Sequence, residues 1–287
     1  MIPGAFAYHR PKSVKEAVVM LADLGDDARP LAGGHSLIPM MKLRLAAPAH
    51  LVDLGAIGEL KGVRGEGGDI VIGAMTTQHE LIADATLAAK LPILRETALL
   101  IADPQVRYVG TIGGNVAQGD PGNDMPAVML CLGASYQIAG KGGERRVAAR
   151  DFYEGAYLTA LAPGEMVTAI RIPVPPQGHG AAYEKLKRKI GDYATAAAAV
   201  ILTQSQGRIA TCSIALTNVA ETPLWAEDAA KSVIGTALDA ATVKKAAAAT
   251  EAITSPASDN RGPAEYRRKM AGVMVARALA RAKSRAA

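Results

Sequence analysis

The chain has 287 residues, which at about 150 residues per domain predicts roughly two domains, and its 49% hydrophobic and 21% charged content excludes both a disordered chain and a disulfide-stapled miniature. Its formal charge of +5 would suit a nucleic-acid partner if it were evenly spread, but residues 261–287 alone carry +7 and the preceding 260 carry −2, so the body has no basic face to offer.

Ser13-Val14-Lys15-Glu16 reads as a capping box opening a helix whose Val14, Ala17, Val18, Leu21 and Leu24 share one face. A strand from Arg29 to Ala32 runs into Gly33-Gly34, and residues 50–54 form a second strand. Residues 60–64 and 70–73 flank Gly65-Glu66-Gly67-Gly68-Asp69 as a hairpin, followed by a helix over 84–101 interrupted near Pro92. Thr111-Ile112-Gly113-Gly114-Asn115 is a second glycine loop, and Asp124 suits the N-cap of a short helix reaching Leu132. A hairpin spans 135–149 about Gly140-Lys141-Gly142-Gly143, and a strand over 166–173 ends in Val174-Pro175-Pro176-Gln177-Gly178, which marks a domain boundary after residue 177. Beyond it, strands are expected at 181–189, 195–203 and 209–218, then helices at 225–234, 238–253 and 263–282. Together these make a three-stranded antiparallel sheet with helices on one face, and an α+β chain overall.

Ala32-Gly33-Gly34-His35-Ser36 and Thr111-Ile112-Gly113-Gly114-Asn115 are alike: adjacent glycines beside a small polar residue. Successive N–H groups in such loops can converge on an anion, and two of them could hold one pyrophosphate from opposite sides, with a Cβ at Gly33 or Gly114 filling the cradle. Each could equally be a plain tight turn. Other chemistries lack support. There is no G-x-G-x-x-G after a strand, no P-loop, no H-E-x-x-H and no G-x-S-x-G elbow. Cys131 and Cys212 form no zinc or iron–sulfur spacing and fit a reducing, cytoplasmic setting. Residues 1–15 lack a signal-peptide pattern, and no apolar run approaches the ~20 residues of a bilayer span.

The two loops, their order and an Asp nine positions after Asn115 resemble the flavoprotein, or medium, subunit of molybdenum-containing hydroxylases, over essentially the whole chain. Within that family the similarity is greatest to the branch that oxidises carbon monoxide. The resemblance implies an FAD-binding fold of the vanillyl-alcohol oxidase and p-cresol methylhydroxylase type over residues 1–177, itself two α+β subdomains, and a small α+β domain over 178–287. It implies that residues 32–36 and 111–115 hold the FAD pyrophosphate and that Ile101 packs near the adenine. It places Asp124 on the ribityl chain or flavin edge, Leu161 and Lys185 near the ring, and Tyr193 across one isoalloxazine face. Structural roles remain open for several of them: helix-end core for Ile101, loop packing for Leu161, a surface position for Tyr193. Lys187, Arg188 and Lys189 are expected to be solvated. The segment departs from the eukaryotic purine-oxidising members, so the resemblance does not extend to NAD reduction.

As to partners, the resemblance implies a large subunit with a molybdopterin-type molybdenum cofactor, a small subunit with [2Fe–2S] clusters, a dimer of heterotrimers, and a quinone or membrane redox acceptor. No nucleic acid is expected. The basic C-terminal helix would complement its own dipole and meet an acidic partner. A ligand-binding or assembly module that keeps the glycine loops is the reading of a different class. A free-standing flavin oxidase lacks an evident substrate cap.

Overall fold

The computed structural model describes residues 2–287. Its first layer contains β1 (Ala7–His9), α1 (Val14–Leu24), β2 (Ala28–Leu31), α2 (Leu37–Lys42) and β3 (His50–Asp53), with the three strands parallel in the order β1-β3-β2. Ala17, Val18 and Leu21 bury one face of α1 as their spacing predicts. Only half of the expected capping box forms. Ser13 Oγ accepts the Glu16 N–H at 3.2 Å, but the Glu16 carboxylate accepts from Lys12 N–H at 2.7 Å instead of from Ser13.

The second layer follows as β4 (Val63–Glu66), β5 (Asp69–Gly73), α3 (Gln78–Ala83), α4 (Ala85–Lys90), α5 (Pro92–Leu100), α6 (Pro104–Val109), α7 (Ile112–Ala117), α8 (Asp124–Cys131), β6 (Ser135–Gly140), β7 (Gly143–Ala148), β8 (Tyr153–Gly155), β9 (Leu158–Thr159) and β10 (Met166–Pro173). Five of the strands form an antiparallel sheet ordered β4-β5-β10-β6-β7, and both glycine-turn hairpins form where predicted. Pro92 splits the expected long helix, because its ring lacks the N–H that would continue the ladder. Every residue of α8 is buried, which suits a helix enclosed on all sides at the centre of the molecule.

The third layer comprises β11 (Gly180–Leu186), β12 (Ala196–Ser205), β13 (Arg208–Thr217), β14 (Leu224–Trp225), α9 (Glu227–Val233), α10 (Ala240–Ile253) and α11 (Ala264–Arg285). The sheet has four strands, not three, since Leu224 and Trp225 pair with Leu216 and Ala215 and delay the helix expected at 225. Nor are helices confined to one face. Ala196 and Ala198 pack into the cluster formed with α9 to α11, while Ala197 and Ala199 pack into the central core with α8. The alanine run is therefore a strand buried on both sides, as parity along a strand requires.

Much of the excess charge of the C-terminal segment is paired within the fold. Arg267, 3% exposed, donates to the carbonyls of Thr195 and Ala257 and pairs with Asp259 at 3.0 Å. Arg281 pairs with Glu184 at 2.7 Å, Arg285 with Glu96 at 2.7 Å and Lys269 with Glu251. Arg261 lies beside Asp192 and Asp259.

Candidate cofactor site

A cavity of about 450 Å³, within the usual ~300–1,000 Å³ of small-molecule sites, opens where the three layers meet. The first layer contributes the β2–α2 loop. The second contributes the loop before α7, Ile101, Asp124 and Leu161, and the third Lys185 and Tyr193. Of the residues anticipated from sequence, Ala32, Gly33, Gly34, His35, Ser36, Ile101, Thr111, Gly113, Gly114, Asn115, Asp124, Leu161, Lys185 and Tyr193 all line it. Ile112 does not: its side chain is wholly buried in the central core, as expected for the apolar residue that seats α7.

The two glycine loops differ in their backbone. Among the described residues, the N–H groups of Gly33, Gly34, His35 and Ser36 have no protein acceptor, and the Ser36 hydroxyl makes no capping bond. Gly34 has φ +70°, a conformation costly to a residue with a Cβ, and it lies within this run of acceptor-free N–H groups at the cavity. In the second loop, among the described residues, only the Thr111 N–H lacks a protein acceptor, and the other four donors are used. Ile112 N–H donates to Thr76 O at 2.9 Å, Gly113 N–H to Ala74 O at 2.8 Å, Gly114 N–H to Thr111 Oγ1 at 3.0 Å and Asn115 N–H to Thr111 O at 3.1 Å. The first loop thus has free donors behind the paired-nest expectation, whereas four of the five donors of the second are spent on starting α7.

The glycines themselves follow the same division. A Cβ on Gly113 would lie 2.5 Å from Ala74, and one on Gly33 would lie 2.5 Å from the Val109 carbonyl, so both permit close backbone packing and neither would block a ligand. This corrects the expected effect at Gly33. A Cβ on Gly114 would stand 3.4 Å from Ala32 Cβ, between the two loops, and only there does the cradle argument survive.

Asp124 also differs from expectation. Asn123 occupies the N-cap of α8, and the Asp124 carboxylate, as the first helical residue, turns inward. Its Oδ2 accepts from Lys185 Nζ at 2.7 Å and its Oδ1 from the Tyr183 hydroxyl at 2.6 Å, with the two charged side chains 5% and 1% exposed. Burial pushes the carboxyl pKa up, and Lys185 and Tyr183 pull it back. Asn123 Nδ2 meanwhile donates to Asn115 O at 2.9 Å, which ties the start of α8 to the second loop.

At the mouth, the Tyr193 ring is 41% exposed and lies against Gly122, with the Arg261 guanidinium 5.5 Å from its centroid. Burial and nearby Asp120 raise its phenol pKa above 10.0. On the far wall, Glu165 pairs with Arg145 at 2.7 Å, which lowers its carboxyl pKa. Sequence reasoning passed over Gln78. It lines the cavity, is 2% exposed, and neither its Nε2 nor its Oε1 has a partner; Asn115 Oδ1 is likewise buried and unpartnered. Buried amides left unpaired are costly, so these atoms fit a site completed by a polar ligand. Acceptor-free N–H groups, orphaned amides and an apolar wall at Ile101 and Leu161 together suit an extended dinucleotide with a negatively charged centre.

Fold and site thus define an FAD-binding protein. Residues 4–175 match the FAD binding domain in molybdopterin dehydrogenase, and residues 181–282 the CO dehydrogenase flavoprotein C-terminal domain. The chain belongs to the family of flavoprotein subunits of molybdenum hydroxylases. It is 71% identical to the carbon monoxide dehydrogenase medium chain of Afipia carboxidovorans, covering 100% of this chain and 99% of that one. It is 37% identical to the glyceraldehyde dehydrogenase medium chain of Sulfolobus acidocaldarius, over 97% and 99% of the two. The fold superposes on a chain of the reconstituted CO dehydrogenase from Oligotropha carboxidovorans with a TM-score of 0.99 at 71% identity, each chain covered 100%.

Proposed function

We propose that this chain is the FAD-carrying electron-transfer subunit of a carbon-monoxide-oxidising molybdenum hydroxylase. In the overall reaction, CO and water give CO2, two protons and two electrons. FAD, when bound, takes up electrons singly and releases them singly or in pairs. The anticipated residues that line the cavity take their places around it, with Ile112 behind them in the core. The Gly33–Ser36 N–H groups and the Ser36 hydroxyl receive the pyrophosphate. Ile101 and Leu161 supply apolar contact, Asp124 and Lys185 form a neutral polar wall, and Tyr193 shields the mouth from water. Residues 1–177 form the FAD-binding domain and 178–287 the second domain, which completes the site through Lys185 and Tyr193.

Electrons arrive from partners: a large subunit bearing the molybdenum cofactor and a small subunit bearing [2Fe–2S] clusters, assembled as a dimer of heterotrimers. They leave to a quinone-type acceptor, with the complex in the cytoplasm at the inner membrane face. No helix among the described residues is long and apolar enough to cross a membrane. The acceptor-free first loop carries the cofactor assignment, and the full-length 71% identity supports the substrate. The test is the visible spectrum of the complex purified with its partner subunits. A flavin band that bleaches under CO, and not under glyceraldehyde, is the expected result. A complex without a flavin band defeats the assignment of FAD, and bleaching by the aldehyde alone defeats that of CO.

A further inference from the structure

Tyr183 has no surface in the cavity, yet it is bonded to the residue that does. Its ring is fully buried on β11, and its hydroxyl donates to Asp124 Oδ1 at 2.6 Å while lying 3.2 Å from Thr217 Oγ1 on β13. A phenol has one proton, so with that proton on Asp124 the Thr217 hydroxyl is the donor in the second contact. The backbone is held as well, since Tyr183 N–H donates to Glu96 Oε1 at 2.7 Å, and Glu96 is the carboxylate that Arg285 pairs with. Thr217, Tyr183, Asp124 and Lys185 therefore form one chain of contacts that ends at the cavity wall, three of its four members coming from the third layer.

Asp124 has two oxygens and uses one for each partner. With Oδ1 fixed by Tyr183, Oδ2 is left to Lys185, and the ammonium at the wall is matched by a full negative charge. Without the hydroxyl, a carboxylate only 4% exposed would lose one of its two donors, a situation that favours taking up a proton. Lys185 would then face the cavity as an uncompensated cation.

We propose that Tyr183 is a positioning residue that keeps the Asp124–Lys185 pair charge-balanced beside the flavin and thereby sets the flavin's reduction potential. The inference rests on the FAD reading of the cavity. A cation at the wall favours the reduced, more negative form of the flavin, so loss of the Tyr183 hydroxyl raises the potential.

The experiment uses the flavin-loaded complex and measures the flavin midpoint potential of the parent, Tyr183→Phe and Tyr136→Phe. Tyr136 is an equally buried phenol, bonded to Tyr153 at 2.8 Å outside the cavity, and serves as the control for merely removing a buried hydroxyl. The expected result is a positive shift for Tyr183→Phe with FAD stoichiometry retained, and the parental potential for Tyr136→Phe. Should Tyr183→Phe fail to fold, Thr217→Val is read in the same way, with a smaller shift of the same sign expected. A parental potential in the folded variant, or equal shifts in both tyrosine variants, overturns the inference and leaves Tyr183 a packing residue. Absence of flavin from the parent complex instead overturns the FAD reading beneath it.

Discussion

The loops at 32–36 and 111–115 look interchangeable on paper and are opposites in the fold. The first keeps its N–H groups free and carries a positive φ at Gly34. The second spends the corresponding donors on Thr76, Ala74 and Thr111, and uses Gly113 to press α7 against Ala74. Similar composition therefore gives two different backbones, one loop with its donors free and one with most of them spent. The difference cannot be read from the glycines, only from where their hydrogen bonds go.

The sharpest way to break this contrast is Gly113→Val. Its Cβ would meet Ala74 at 2.5 Å, and we expect a loss of about 3 kcal/mol in unfolding free energy by denaturant titration. A stable protein that had merely lost FAD would show that the second loop is a cradle after all. Gly34→Ala should cost about 1–2 kcal/mol, because its left-handed backbone disfavours a Cβ, and should weaken FAD binding in a flavin titration beyond what that instability explains.

A matched pair of hydroxyl deletions refines the comparison. Thr111→Val should cost about 1 kcal/mol through the lost cap on α7, whereas Ser36→Ala should leave thermal stability unchanged and lower FAD affinity several-fold. The reverse pattern would exchange the roles of the loops. The smallest effect concerns the wall opposite. Glu165 is held below its ordinary 4.5 chiefly by the Arg145 hydrogen bond, so its contribution is present above that pH and fades as acid protonates it. Glu165→Gln should remove about 0.5 kcal/mol at neutral pH and flatten the acid limb of the stability profile below pH 4.5, checked by denaturation at graded pH.

Turn chemistry and periodicity made much of the fold legible. Both glycine hairpins, α1, the break at Pro92 and the long terminal helix fall where residue patterns place them. The strand β1 escaped because three residues, two of them exposed, carry no alternation to read. At the site, the loops and Asp124 were legible as positions but not as roles. The partners of Asp124 are 59 and 61 residues away, so its acidic side chain at a helix start looked like a cap. Gln78 sits one position after the capping Thr77 of a complete Thr77/Glu80 box, where a polar residue ordinarily faces water, and only tertiary burial exposes its unpaired amide.

The alanines of β12 set a dimension. With methyl groups on both faces, the strand acts as a spacer of minimum thickness between α8 on one side and the terminal helices on the other. The start of α8 carries Asp124 and the adjoining strand carries Lys185, so that thickness also gauges the separation of the two charges. A larger side chain at Ala197 or Ala199 would press on the side of α8 and lengthen the ion pair, whereas one at Ala196 or Ala198 would press on the terminal helices.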